Sequence, residues 1–262
     1  MNKLGGLEHP ERMATLLAAC RFTNGADSAA VLALYEKTAK AVLGTVEKLD
    51  YMGLPLVRGD AWTSPALLAE ALNHCESLRT LALGGTRLDD EGVAELAAGL
   101  EDGALPALEG ISLAGNRFGA LGVGALCDVF PRRVAPMLNL LAFSFTPLGD
   151  DGAVALATAL AMGALPAKLT LSVMGCDMGD EGALAIAAAL PVAGPGQRIS
   201  STSNRTGLAG QSALLEALEA KHGTSFRHYF DGVQMNALPW TPLFVRAMIR
   251  GLRRKMESGR LI

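Results

Sequence analysis

Three phrases of nearly identical build open at Leu78, Leu108 and Leu138, and their spacing limits what this 262-residue chain can fold into. They read L-R-T-L-A-L-G-G-T-R-L (78–88), L-E-G-I-S-L-A-G-N-R-F (108–118) and L-N-L-L-A-F-S-F-T-P-L (138–148). A looser copy, K-L-T-L-S-V-M-G-C-D-M, occupies 168–178 and opens on Lys168 instead of leucine. Extending the frame outward gives Y-M-G-L-P-L-V-R-G-D-A (51–61) and G-Q-R-I-S-S-T-S-N-R-T (196–206). Starts at 51, 78, 108, 138, 168 and 196 are separated by 27, 30, 30, 30 and 28 residues. A period of this size means supersecondary units stacked side by side, each unable to bury its apolar face alone.

Within each unit the pattern alternates first and then turns helical. Leu81 and Leu83 flank Ala82, which reads as a short strand with one face inward. A polar column follows, holding Gly59, Thr86, Asn116, Thr146, Cys176 and Asn204. Such side chains bond the backbone as it turns off a strand, so the column predicts a ladder running from coil to coil. Cys176 is then a buried rung and not a nucleophile. Next come Asp90, Asp150 and Asp180, with Glu91, Asp151 and Glu181 beside them, ahead of alanine-rich runs at 93–100, 123–130, 153–160 and 183–190. Carboxylates there accept from free helical N–H groups and meet the positive end of the dipole, so each is expected to cap the helix it opens. A calcium site needs further oxygen ligands that this column lacks. Gly103, Pro106, Pro136, Gly163, Pro166, Gly194 and Pro195 break the helices and return the chain to the next strand.

The phrase L-x-x-L-x-L-x-x-(N/T/C)-x-L resembles the leucine-rich repeat signature, over residues 51–222 of the chain. The long unit with a helical second half is similar to the ribonuclease-inhibitor-like subclass. The resemblance implies an α/β solenoid: a curved parallel sheet inside, helices outside, about six repeats, and caps at both ends. The organisation expected is a helical N-terminal cap (1–50), the solenoid (51–222), and an aromatic loop with a basic amphipathic helix (223–262).

The N-terminal run 29–49 places Val31, Leu34, Tyr35, Ala39, Val42, Val46 and Leu49 at helical spacing, as a helix covering the open first coil would. At the other end the repeat gives way to Phe226, Tyr229, Phe230 and Trp240, a cluster of aromatics in a chain otherwise poor in them. Thr241 and Pro242 then suit the start of a helix to about 257. Val245, Met248, Ile249, Leu252 and Met256 form its apolar stripe, and Arg246, Arg250, Arg253, Arg254 and Lys255 cover much of the rest. Residues 78–200 carry 13 acidic and 7 basic side chains, whereas 221–262 carry 8 basic against Asp231 and Glu257. A net charge of −3 therefore hides an acidic middle and a basic tail, and charge separated in this way directs docking.

Three uses of the tail are open: closing the last coil, engaging a partner protein, or resting on an anionic membrane or nucleic-acid backbone. The last ranks lowest, because no aromatic interleaves with the basic residues. The inner face, read from Gly53, Pro55 and Val57 through Thr80, Ala82 and Gly84 to Arg198, Ser200 and Thr202, is small and almost uncharged. It suits a closely packed helix or extended segment, including one from the same chain. Cys20, Cys75, Cys127 and Cys176 are scattered without metal-ligand spacing, which points to a reducing, cytoplasmic setting and to no zinc site. Residues 1–20 lack the sustained apolar core of a secretory signal, and no stretch suits a membrane helix. No phosphate loop, nucleophile elbow or zinc-protease motif is present, so no catalytic residue and no cofactor are expected. The reading is a non-catalytic protein-interaction module, a scaffold or accessory subunit of a larger assembly. The alternative implied by the resemblance is a GTPase activator of the Ran type. Arg58 and Arg87 sit on turns after strands, but nothing marks either as a catalytic finger, and the tail is basic where that group's is acidic.

Overall fold

The computed structural model describes residues 25–60, 63–194 and 196–222. Helix α1 (Gly25–Gly44) leads into β1 (Lys48–Asp50), and five further strand–helix pairs follow after α2 (Pro65–Leu72). They are β2 (Thr80–Ala82) with α3 (Asp90–Gly99), β3 (Gly110–Ser112) with α4 (Ala120–Cys127), and β4 (Leu140–Ala142) with α5 (Gly149–Ala161). The last two are β5 (Thr170–Ser172) with α6 (Asp180–Ala189) and β6 (Arg198–Ser200) with α7 (Leu208–His222). All six strands form one parallel sheet in sequence order. From α2 onward, successive helices pack on one another. This is the expected α/β solenoid.

The core is a continuous slab made from the apolar columns. Leu78, Leu81, Leu83 and Leu88 in one coil lie over Leu108, Ile111, Leu113 and Phe118 in the next, and over Leu138, Leu141, Phe143 and Leu148 beyond. Helices contribute residues at i, i+3, i+4 and i+7, such as Ala183, Ile186, Ala187 and Leu190. Their small side chains let neighbours come close: an added Cβ on Gly99 would stand 2.7 Å from Ala69 Cβ. Where Lys168 replaces the opening leucine, its side chain is exposed and Leu169 is buried in its stead.

Two expectations need correction at the N-terminal side. The first strand pairs Lys48 with Thr80, Leu49 with Leu81 and Asp50 with Ala82, five residues ahead of the register set by Tyr51 as the opening position. The unit therefore reads V-E-K-L-D-Y-M-G-L-P-L (46–56), with Leu49, Tyr51 and Leu56 buried and Leu54 in the polar column instead of Gly59. The sequence frame was misled because 51–61 also offers alternating apolar residues, whereas Val46 and Tyr51 disguise the leucine positions. Helix α1 consequently stops at Gly44 and gives up Leu49 to the sheet. Of its proposed covering stripe Ala39 is buried, while Val31, Leu34 and Val42 are exposed, Leu34 to 67 %. Contact with the core is made by Leu43, the penultimate residue of the helix.

Candidate functional site

The polar column behaves as a ladder that stitches the turns together. Buried Asn116 donates through Nδ2 to the carbonyls of Leu83 and Leu113, both at 2.8 Å, and accepts at Oδ1 from Leu88 N–H at 3.0 Å. Thr146 accepts from Asn116 N–H (3.2 Å) and donates to the Leu113 carbonyl (3.1 Å). Cys176 donates from Sγ to the Phe143 carbonyl at 3.3 Å, and its own N–H donates to Asn204 Oδ1 at 2.8 Å. Burial pushes the Cys176 thiol up to about 11, and those of Cys75 and Cys127 up to about 11 and about 12. A thiol held protonated by desolvation is a poor nucleophile, so these sulfurs serve packing and hydrogen bonding. Cys20 lies outside the described residues.

The acidic column caps helices, but not the ones expected. Asp90 Oδ1 accepts from Gly119 N–H (2.8 Å) and Gly122 N–H (2.6 Å), which begin α4 in the following unit. Asp150 does the same for α6 through Gly179 and Gly182, both at 2.8 Å. Asp180 serves α7 through Gly207 (2.7 Å) and Gly210 (3.0 Å). Each carboxylate thus sits on one helix and satisfies the free N–H groups of its neighbour. Asp89 is the residue that caps its own helix, accepting from Gly92 N–H at 2.8 Å. Glycine at the receiving position is required by space: a Cβ on Gly182 would stand 2.8 Å from Asp150 Oδ1 and 2.7 Å from Ala153 Cβ. Helix α5 receives no such carboxylate acceptor, because Ala120 occupies the aspartate position, and Gly149 N–H turns to the Cys176 carbonyl at 3.0 Å.

The sheet's outer columns make a shallow, largely uncharged floor. With the corrected register they read Lys48, Thr80, Gly110, Leu140, Thr170, Arg198; then Asp50, Ala82, Ser112, Ala142, Ser172, Ser200; then Met52, Gly84, Ala114, Ser144, Met174, Thr202. Charge appears at the two ends of the floor, and Leu140 and Met52 stand out of it at 42 % and 58 % exposure.

Beyond the floor lies a rim of tight turns. Gly53, Gly85, Gly115 and Gly175 take left-handed backbone there, with φ between 64° and 72°. Phe145 occupies the same column at φ 60° and Ser203 likewise at 60°. The Phe145 ring is 63 % exposed and lies where a Cβ on Gly175 would come within 2.8 Å of it. Two residues further on, the column holds Arg87, Arg117, Pro147, Asp177 and Arg205. Arg205 approaches Asp177 at 3.9 Å, and Arg58 reaches Glu91 at 3.4 Å and Asp89 at 3.7 Å. Arg87 and Arg117 are exposed and form no ion pair among the described residues. In the sequence Phe145 is marked only as a bulky residue in a column that otherwise holds glycine or serine.

The candidate partner-binding residues Phe226, Tyr229, Phe230, Trp240, Arg246, Arg250, Arg253, Arg254 and Lys255 lie outside the described residues. Among the described residues no group of three or more His, Cys, Asp or Glu side chains is placed to hold a metal ion, and no helix is long and apolar enough to cross a membrane.

A family model described as "Leucine Rich repeat" matches residues 74–97, 134–157 and 167–187. No characterised protein matches the chain by sequence. Among solved structures, one titled leiomodin-1 actin-binding site 2 aligns over 86 % of this chain and 93 % of its own, at 13 % identity and a TM-score of 0.39.

Proposed function

Because this chain is a leucine-rich repeat protein, we propose that it is a non-catalytic protein-interaction module that works as a scaffold or accessory subunit of a larger assembly. The observation that carries the reading is how the reactive groups are used. The three described thiols are buried and held protonated, and Asp90, Asp150 and Asp180 are committed to helix N-termini. What the solenoid offers outward is surface: a small-residue floor, a rim bearing arginine and aromatic side chains, and a basic, aromatic tail in the sequence. Aromatic and arginine side chains dominate interface energetics when desolvated. Recognition by Phe226, Tyr229, Phe230, Trp240, Arg246, Arg250, Arg253, Arg254 and Lys255 belongs to this proposal, as does an intracellular setting.

The test is co-purification of the intact chain beside one ending at Leu238. A stoichiometric companion lost on truncation places recognition in the basic tail. A companion retained moves it to the solenoid. Failure to recover any companion across sources, together with stimulated GTP hydrolysis by a small GTPase, would replace the scaffold reading with the activator one.

A further inference from the structure

Phe145 breaks two local rules at once. A bulky side chain in the left-handed region is strained, and its column otherwise holds Gly53, Gly85, Gly115, Gly175 and one serine. The ring also gains little by burial, being 63 % exposed. Folding therefore does not explain why phenylalanine stands there, whereas contact with something outside the chain does.

The neighbouring rim positions say what that contact is. Arg87 and Arg117 occupy equivalent turns of adjacent coils, about 5 Å apart along the stack. Arg87 itself is left-handed, at φ 64°. The carboxylates nearest in sequence are engaged elsewhere: Asp89 and Glu91 by Arg58, and Asp90 by the amides of Gly119 and Gly122. Among the described residues two guanidinium groups on adjacent coils are thus without an ion-pair partner, followed by an apolar stretch made by Phe145 and Pro147. An arginine pair favours carboxylates through bidentate hydrogen bonds.

Resting on the protein-interaction reading, we propose that the rim of Arg87, Arg117 and Phe145 docks an acidic segment of a partner protein. Carboxylates of that segment meet the two guanidiniums, and an apolar side chain of the segment seats against the Phe145 ring. All three residues belong to the solenoid, so a companion held by this rim is retained by the chain ending at Leu238.

The full chain is titrated by fluorescence anisotropy with a labelled peptide of repeated Glu-Glu-Leu triplets, with Lys-Lys-Leu and Glu-Glu-Ser peptides and a single-stranded RNA alongside. The Glu-Glu-Leu peptide binds best, and Phe145→Gly weakens it by about tenfold or more, as does the double change Arg87→Gln with Arg117→Gln. Phe145→Gly melts at or above the parent temperature, because glycine adopts that backbone freely. Absence of binding, equal binding of the lysine peptide or the RNA, or affinity unchanged in the variants overturns the proposal. If Phe145→Gly loses both stability and affinity, the arginine double variant decides: retained melting with lost affinity supports docking, and retained affinity refutes it.

Discussion

Replacing Asp150 by alanine tests the inter-coil cap directly. The carboxylate sits on α5, yet the two N–H groups it holds belong to Gly179 and Gly182 at the start of α6. Gly182 is buried, so its N–H finds no water in the variant, and a buried donor left unmet costs about 1–3 kcal/mol. Gly179 is half-buried and rehydrates in part, adding the lower end of a lost N-cap, about 0.5–1 kcal/mol. The expected destabilisation is about 2–3 kcal/mol, equivalent to a drop of about 5–10 °C in Tm for a chain of this size. Asp150→Asn keeps an acceptor and loses about half as much. Asp151→Ala, one residue on and exposed, changes stability by about 0.5 kcal/mol or less. Circular dichroism melts and urea titrations supply the magnitudes, and amide exchange at Gly179 and Gly182 supplies the location. Should Asp150→Ala and Asp151→Ala melt alike, or should exchange quicken at the start of α5 instead of α6, the cross-coil cap is refuted. Ala120→Asp is the converse control. It leaves Tm within about 1 °C, since Gly149 N–H is already bound to the Cys176 carbonyl and Gly152 N–H to that of Leu148.

Three further outcomes follow from the same geometry. Asn116→Ala leaves the Leu88 N–H without its acceptor in the core, while the Leu83 and Leu113 carbonyls keep the Thr86 and Thr146 hydroxyls, and it lowers stability by about 1–3 kcal/mol in urea unfolding. Gly124→Ala, with open space around the added methyl, raises stability by about 0.5–1 kcal/mol, whereas Gly182→Ala lowers it by about 1–3 kcal/mol through overpacking; melts of the two variants check the contrast. Cys75, Cys127 and Cys176 stay unreactive toward a thiol reagent at pH 8 until denaturant is added. Their folded values are raised, so the stability they contribute is intact below about pH 9 and is lost as pH climbs toward 11–12, where the unfolded chain has released protons the core still holds. A Tm flat across pH 9–11 contradicts this.

The repeat was legible because its signal lies in side chains that all face one way. Leu81, Ile111, Leu141 and Leu171 occupy one column of the sheet, and a leucine is named by its burial wherever the column passes. The first coil was misread because Val46, Tyr51 and Leu54 meet the same packing demand with other shapes. The aspartates were visible as a column, but their partners lie 29 to 32 residues downstream in Asp90 and Asp150, and local capping rules look only three residues ahead. Phe145 was hidden for a different reason. A glycine column reveals its backbone only when read across coils, and an exception there marks either strain or use.

The missing carboxylate at Ala120 gives the stack an uneven grain. The joints from α3 to α4, α5 to α6 and α6 to α7 each carry a carboxylate clamp, while the one from α4 to α5 relies more on hydrocarbon, with Phe118 set edge-on against Phe143 at 5.9 Å beside it. Apolar adhesion fades on cooling and under pressure, and hydrogen-bonded clamps do not share that dependence. Chilled or compressed, the solenoid parts at its fourth coil before any of the three clamped joints gives way, separating an N-terminal half bearing Arg87 and Arg117 from a C-terminal half bearing Phe145.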